Sequence, residues 1–107
     1  MKDKYKIPNI TSENELEYWL EFKKTLFANI RDAFIIKYSP LVKYAASKIY
    51  VNMEFHKRIE FQDLIGFGSF ALMDAIDKYN PSMDIKFKTY AAARIKDIII
   101  QELRRLD

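Results

Sequence analysis

Apolar side chains recur along most of this sequence at steps of three and four, the spacing that gathers them on one face of a helix rather than one face of a strand. The last segment is the clearest case. Phe87, Tyr90, Ala91, Ile95, Ile98, Ile99, Leu103 and Leu106 form a continuous stripe and predict a helix from about Phe87 to Leu106. A second stripe of Leu64, Ile65, Gly68, Leu72, Ala75 and Ile76 predicts a helix from about Gln62 to Tyr79. Asn80-Pro81 stops it, and Asn80 to Lys86 makes the turn to the last helix.

Upstream, Leu41, Tyr44, Ala45, Lys48 and Ile49 predict a helix opening at Pro40 with Ser39 as its cap. It is either new or kinked out of a helical stretch running from about Leu26, because proline suits a helix's first turn and breaks its interior. Ser12 with Glu15 three residues on resembles a capping box ahead of Leu16, Trp19, Leu20 and Lys23, so a first helix is expected from Ser12. Residues 1 to 11, with Pro8 and no periodicity, read as a lead-in, and Glu54 to Phe61 as a polar linker. The expected fold is all-α, an irregular bundle of about four helices.

Composition narrows this further. With 107 residues, half of them apolar, the chain suits one domain with a true core, and two glycines and three prolines are too few for the turns of many short strands. There is no cysteine, which excludes disulfides and thiolate metal sites and is compatible with the cytoplasm, the expected location. No apolar run approaches the roughly 20 residues a membrane span needs.

Candidate chemistry is sparse. The one histidine, His56, lies in the polar linker with no second histidine or cysteine to share a metal, and reads as a solvated loop residue. Asp74 and Asp77 are three apart, but beside Lys78 they read as a solvated helix face rather than a catalytic carboxylate pair. Gly66-Phe67-Gly68 lacks the third glycine and preceding strand of a dinucleotide loop, and the Gly-Lys-Ser/Thr of a phosphate loop. Two glycines inside a helix cost about 1 kcal/mol each relative to alanine, so a close approach of another helix is expected to compensate. No enzyme activity and no cofactor are expected.

Eighteen basic residues against 15 acidic ones leave a net charge of only +3, so the placement of charge matters more than its sum. From Lys86 to Arg105, the basic residues Lys86, Lys88, Arg94, Lys96, Arg104 and Arg105 face only Asp97 and Glu102. On a helix, Ala93, Asp97, Ile100, Gln101 and Arg104 share a face away from the buried stripe, with Lys96 beside it. Small, amide and guanidinium groups flanked by cations can read base edges while the cations position phosphates. Phe87 and Tyr90, beside Lys86, Lys88 and Thr89, offer rings on which unpaired bases stack, although both also fit the core.

Three stretches in this order, "YSPLVKYAASKI", "DLIGFGSFALMDAIDKYNP" and "IKFKTYAAARIKDIIIQELRRLD", together resemble conserved region 2 of bacterial RNA polymerase sigma factors, most nearly the alternative, flagellar or motility type. The resemblance covers about Trp19 to Asp107, with residues 1 to 18 a poorly determined lead-in and start of the first helix. It implies that the helix beginning Asp63-Leu64-Ile65 docks on the clamp helices of the largest polymerase subunit through Asp63, Gly66, Phe67, Ser69 and Met73. It also implies that the Phe87-x-Thr89-Tyr90-Ala91 helix recognises and helps melt the minus-ten promoter element, capturing flipped non-template bases. That role falls on Lys86, Phe87, Lys88, Thr89 and Tyr90, then on Ala93, Arg94, Lys96, Asp97, Ile100, Gln101 and Arg104. Expected partners are core RNA polymerase, promoter DNA and an anti-sigma factor, with no membrane.

Departures from the family pattern are informative. Primary sigma factors carry Gln-Glu where Gly66-Phe67 stand and two tryptophans at Ala93 and Arg94, which implies an alternative factor. The flagellar type usually shows Arg-Gly-Ala at Lys96-Asp97-Ile98 and an acid at Gln101. The resemblance further implies a piece of a longer factor, since such proteins continue into a domain that binds the minus-thirty-five element. The competing reading is a helical adaptor whose exposed Phe67, Phe70 or Ile100 docks partner helices, with no nucleic acid bound.

Overall fold

A computed structural model of the chain describes residues 5–53 and 58–106. His56, in the expected linker, lies outside the described residues. Among the described residues there are four helices: α1 (Glu15–Thr25), α2 (Ala28–Val51), α3 (Phe61–Lys78) and α4 (Phe87–Leu106). No strand occurs among the described residues, so the architecture is all-α.

The start of α1 differs from the expected capping box. Asn14, not Ser12, is the N-cap residue. Its side-chain oxygen accepts the Thr11 N–H at 2.7 Å and its amide donates to the Asn9 carbonyl at 3.1 Å, so a turn over residues 9 to 14 sets the entry angle. Residues 6 to 10 of the lead-in are held on the bundle. Ile10 is buried, its carbonyl accepts Lys37 Nζ at 3.2 Å, and the Lys6 carbonyl accepts Asn29 Nδ2 at 2.6 Å. Trp19 and Phe22 form the buried side of α1, whereas Leu16 and Leu20, expected on that side, are exposed.

Leu26 ends α1 in the left-handed region, φ 58° and ψ 30°, with its N–H on the Phe22 carbonyl at 2.7 Å. A left-handed residue satisfies an orphan carbonyl at a helix end and turns the chain, so α2 starts at Ala28 rather than at Leu26. Helix α2 then runs unbroken through Pro40. Proline removes the N–H that would meet the Ile36 carbonyl four residues back. The Ser39 hydroxyl donates to that carbonyl instead at 3.1 Å, so Ser39 repairs a helix interior where the sequence suggested a cap.

Helix α3 lies against both α2 and α4, with Leu64, Gly68, Ala71, Leu72, Ala75 and Ile76 buried. At Gly68 the three helices meet: a Cβ there would lie 2.8 Å from Val42 Cγ1, 3.3 Å from Ile99 Cδ1 and 3.5 Å from Ile95 Cγ2. Gly66 meets no such neighbour, with nothing within 4 Å of the same atom. The expected close approach therefore accounts for one glycine and not the other.

An aromatic cluster seats the start of α4. The Trp19 ring stacks on Phe34 with centroids 3.7 Å apart and touches Tyr79 and Phe87 at 4.9 and 4.8 Å; Tyr38 meets Phe87 at 4.8 Å. Polar tips of this cluster converge on Glu15, whose carboxylate accepts the Trp19 indole N–H at 3.1 Å and the Tyr38 hydroxyl at 2.7 Å. Such rings bury large areas while their N–H and O–H groups find partners, which fixes where α4 begins. Leu106, at the end of the expected stripe, is exposed.

Candidate nucleic-acid and polymerase interface

Helix α4 divides cleanly. Phe87, Ala91, Ile95 and Ile99 are buried, and the opposite side exposes Thr89, Ala93, Lys96, Asp97, Gln101 and Arg104, with Lys86 and Lys88 exposed at its start. Tyr90, Arg94 and Ile100 are half-buried on its flanks. Among the described residues, no ion pair occupies Lys86, Lys88, Lys96 or Arg104, whereas Arg105 is tied to Glu102 at 2.7 Å. Four cations with no ion pair among the described residues, around a small and amide-bearing face that also carries Asp97, can hold a polyanion.

Phe87 does not belong to that surface. It is only 3 % exposed and sits among Trp19, Tyr38 and Tyr79, so it supports the site from the core. Tyr90 is the aromatic residue left at the surface. Its ring lies 5.6 Å from Tyr79 and 6.4 Å from Phe87, held from below and open on its outer side to the extent that it is half-exposed.

Arg94 is likewise not an idle surface cation. Its Nη2 donates to Asp74 Oδ2 at 2.6 Å, and its guanidinium carbon lies 5.8 Å from the Tyr90 ring centroid. Asp74 is also bound by Lys78 at 3.2 Å. Burial pushes the Asp74 carboxyl up, but the hydrogen bonds from Arg94 and Lys78 outweigh it and hold the group below its ordinary value. Asp77 makes a two-pronged pair with Arg31 at 2.8 and 2.9 Å. The two aspartates therefore tie α3 to α4 and to α2, where the sequence suggested a solvated face.

On α3 the expected polymerase-facing residues divide. Asp63 caps its own helix, accepting the Glu60 N–H at 2.8 Å, and is exposed with Gly66. Phe67 is half-buried and packed against the core, while Phe70 is 67 % exposed. Ser69 and Met73 line an open groove of about 340 Å³ between α2 and α3, together with Ile35, Ser39, Lys43 and Ile65. Asp63, Gly66 and Phe67 are not part of that lining. The α2 residues of the groove carry no site signal in the sequence, where Ser39 reads only as a helix cap; register with Val42 points them at α3 only once Gly68 is known to touch it.

Residues 34–107 match Sigma-70 region 2, and the chain, an all-α domain, belongs to that family. The match spans α2 from Phe34 onward and the whole of α3 and α4. Among individual proteins, the chain is 37 % identical over 89 residues to the RNA polymerase sigma-D factor of Bacillus subtilis, covering 83 % of this chain and 34 % of that one. It is 34 % identical over 71 residues to the RNA polymerase sigma factor FliA of Salmonella typhimurium, covering 66 % and 29 %. With FliA of Pseudomonas aeruginosa it shares 30 % identity over 86 residues, covering 80 % and 34 %. These matches support an alternative sigma factor region 2. The chain spans about a third of the length of the curated relatives it matches.

Proposed function

We propose that this chain is the part of an alternative sigma factor that binds the clamp helices of core RNA polymerase and recognises and helps open the minus-ten promoter element. The observation that carries this reading is the Sigma-70 region 2 match, which contains both the α3 groove and all of α4. Asp63, Gly66, Phe67, Ser69 and Met73 are the proposed polymerase-side residues, with Phe67 contributing mainly through its packing. Lys86, Lys88, Thr89 and Tyr90 take the unpaired strand. Ala93, Lys96, Asp97, Ile100, Gln101 and Arg104 face the adjoining bases and phosphates.

The physical logic needs no chemical step by this chain. Taking a base out of the stack costs a few kcal/mol, and a ring plus nearby cations offset that cost by binding. Strand opening then follows from binding energy, and nucleotide chemistry belongs to the polymerase. A cytoplasmic location, and restraint by an anti-sigma factor, accompany this reading; among the described residues no helix is long and apolar enough to cross a membrane. A helical adaptor that binds no nucleic acid is not favoured by the family match.

The test is binding of a dye-labelled, A/T-rich single-stranded oligonucleotide to this chain together with core polymerase. Saturable binding that weakens with salt, and is reduced about 5- to 160-fold by Tyr90→Ala, is the expected result, from a stacking contribution of roughly 1 to 3 kcal/mol. Absence of binding with polymerase present would overturn the reading.

A further inference from the structure

We propose that Asp74 of α3 is a positioning residue, holding the Arg94 guanidinium against Tyr90 so that the ring is presented for stacking on an unpaired base. The proposal rests on the reading of α4 given above and adds to it a residue from a different helix, one outside both working surfaces.

The geometry runs in one direction. Arg94 Nη2 reaches Asp74 Oδ2 at 2.6 Å, the shortest ion pair described, while the other Asp74 oxygen takes Lys78 Nζ at 3.2 Å. Both carboxylate oxygens are thus engaged, and Asp74 cannot swing away without breaking two pairs. Arg94 Nε is buried and has no hydrogen-bond partner among the described residues, so the guanidinium is fixed through Nη2 alone. Tyr90 lies over that guanidinium at 5.8 Å and against Tyr79 at 5.6 Å. A planar cation held beneath a ring by a carboxylate limits the ring's rotamers, and a pre-set ring loses less freedom when a base stacks on it.

Charge argues the same way. Arg94 facing Asp74 is neutralised at close range, which makes it a poor phosphate contact beside the unpaired Lys86, Lys88 and Lys96. The two roles make opposite predictions for Asp74→Asn. If Arg94 served as a phosphate cation, removing the carboxylate would release its charge and strengthen binding to a polyanion. If Asp74 positions Arg94 and Tyr90, the same change weakens binding.

The experiment uses the full chain with core polymerase and a dye-labelled A/T-rich single strand, comparing Asp74→Asn, Tyr90→Ala and the double variant, with Tyr90 ring resonances recorded by NMR without DNA. Expected are displaced Tyr90 resonances in Asp74→Asn, an affinity about 3- to 10-fold lower, and no further loss when Asp74→Asn is added to Tyr90→Ala. Unchanged or tighter binding of Asp74→Asn, losses that multiply in the double variant, or unmoved Tyr90 resonances would each overturn the positioning role. An unimpaired Tyr90→Ala would instead overturn the stacking reading of α4, while the resonances still decide the positioning. Should Asp74→Asn fold poorly, Arg94→Gln supplies a second measurement. Its salt dependence should keep the parent slope, whereas loss of a phosphate contact would reduce the slope by about 0.7.

Discussion

Replacing each glycine of α3 by alanine separates helix propensity from packing. Both substitutions occur in the interior of the same helix, so each gains about 1 kcal/mol of propensity, and that gain cancels when the two variants are compared. At Gly66 nothing lies within 4 Å of the new Cβ, so Gly66→Ala should stabilise the chain by nearly the full amount. At Gly68 the new methyl would lie 2.8 Å from Val42 Cγ1. Val42 is 3 % exposed and β-branched, with one strongly preferred rotamer in a helix, so it cannot turn aside cheaply. Ile99 at 3.3 Å and Ile95 at 3.5 Å close the other sides. Overpacking of this kind costs about 1 to 3 kcal/mol, which sets the expected gap between the variants. Thermal unfolding followed by circular dichroism should show midpoints separated by at least about 4 °C, with Gly66→Ala above the parent. Val42→Ala added to Gly68→Ala should cost less than Val42→Ala alone, because it vacates the contested space. A Gly68→Ala protein as stable as Gly66→Ala would refute the reasoning, since it would mean that α2 and α4 do not meet at this glycine.

Leu26→Gly should raise stability by up to about 1 kcal/mol in urea unfolding, because Leu26 is 69 % exposed, holds φ at 58°, and loses little packing on truncation. Burial first, then the hydrogen bond to Glu15, raises the Tyr38 phenol above its ordinary 10.0, so stability should be full below that pH and fall as pH rises from there toward the folded-state value. Tyr38→Phe should flatten this alkaline decline, leaving the part contributed by Tyr79, whose phenol burial also raises; an unchanged decline would dismiss Tyr38 as its source. The Arg31–Asp77 pair, with side chains 31 % and 46 % exposed, should show a coupling of only about 0.2 to 1 kcal/mol in a double-mutant cycle, shrinking with added salt.

The two working surfaces were unequally legible from sequence. On α4, the exposed positions Ala93, Lys96, Asp97, Gln101 and Arg104 follow from register against the buried stripe, since a helix buries one side wherever its apolar period is unbroken. Phe87 and Tyr90 are chemically similar and three apart, so periodicity alone could not decide which stays at the surface. The cluster of Trp19, Tyr38 and Tyr79 decides it, by enclosing Phe87 and only supporting Tyr90. On α3, the α2 half of the groove was invisible because its residues belong to another helix.

What the sequence by itself determined is local and periodic: an all-α bundle of about four helices, the inner faces of α3 and α4, the stop at Asn80-Pro81, and an ordered set of motifs that marks the Sigma-70 region 2 family. These follow from interactions within a few residues, which spacing encodes directly. Only the tertiary structure decided that α2 continues through Pro40, that Gly68 is a point of contact and Gly66 is not, and that Arg94 answers to Asp74 rather than to solvent. Each of those depends on partners brought together across helices, and residue type does not specify which distant neighbour will occupy the facing space.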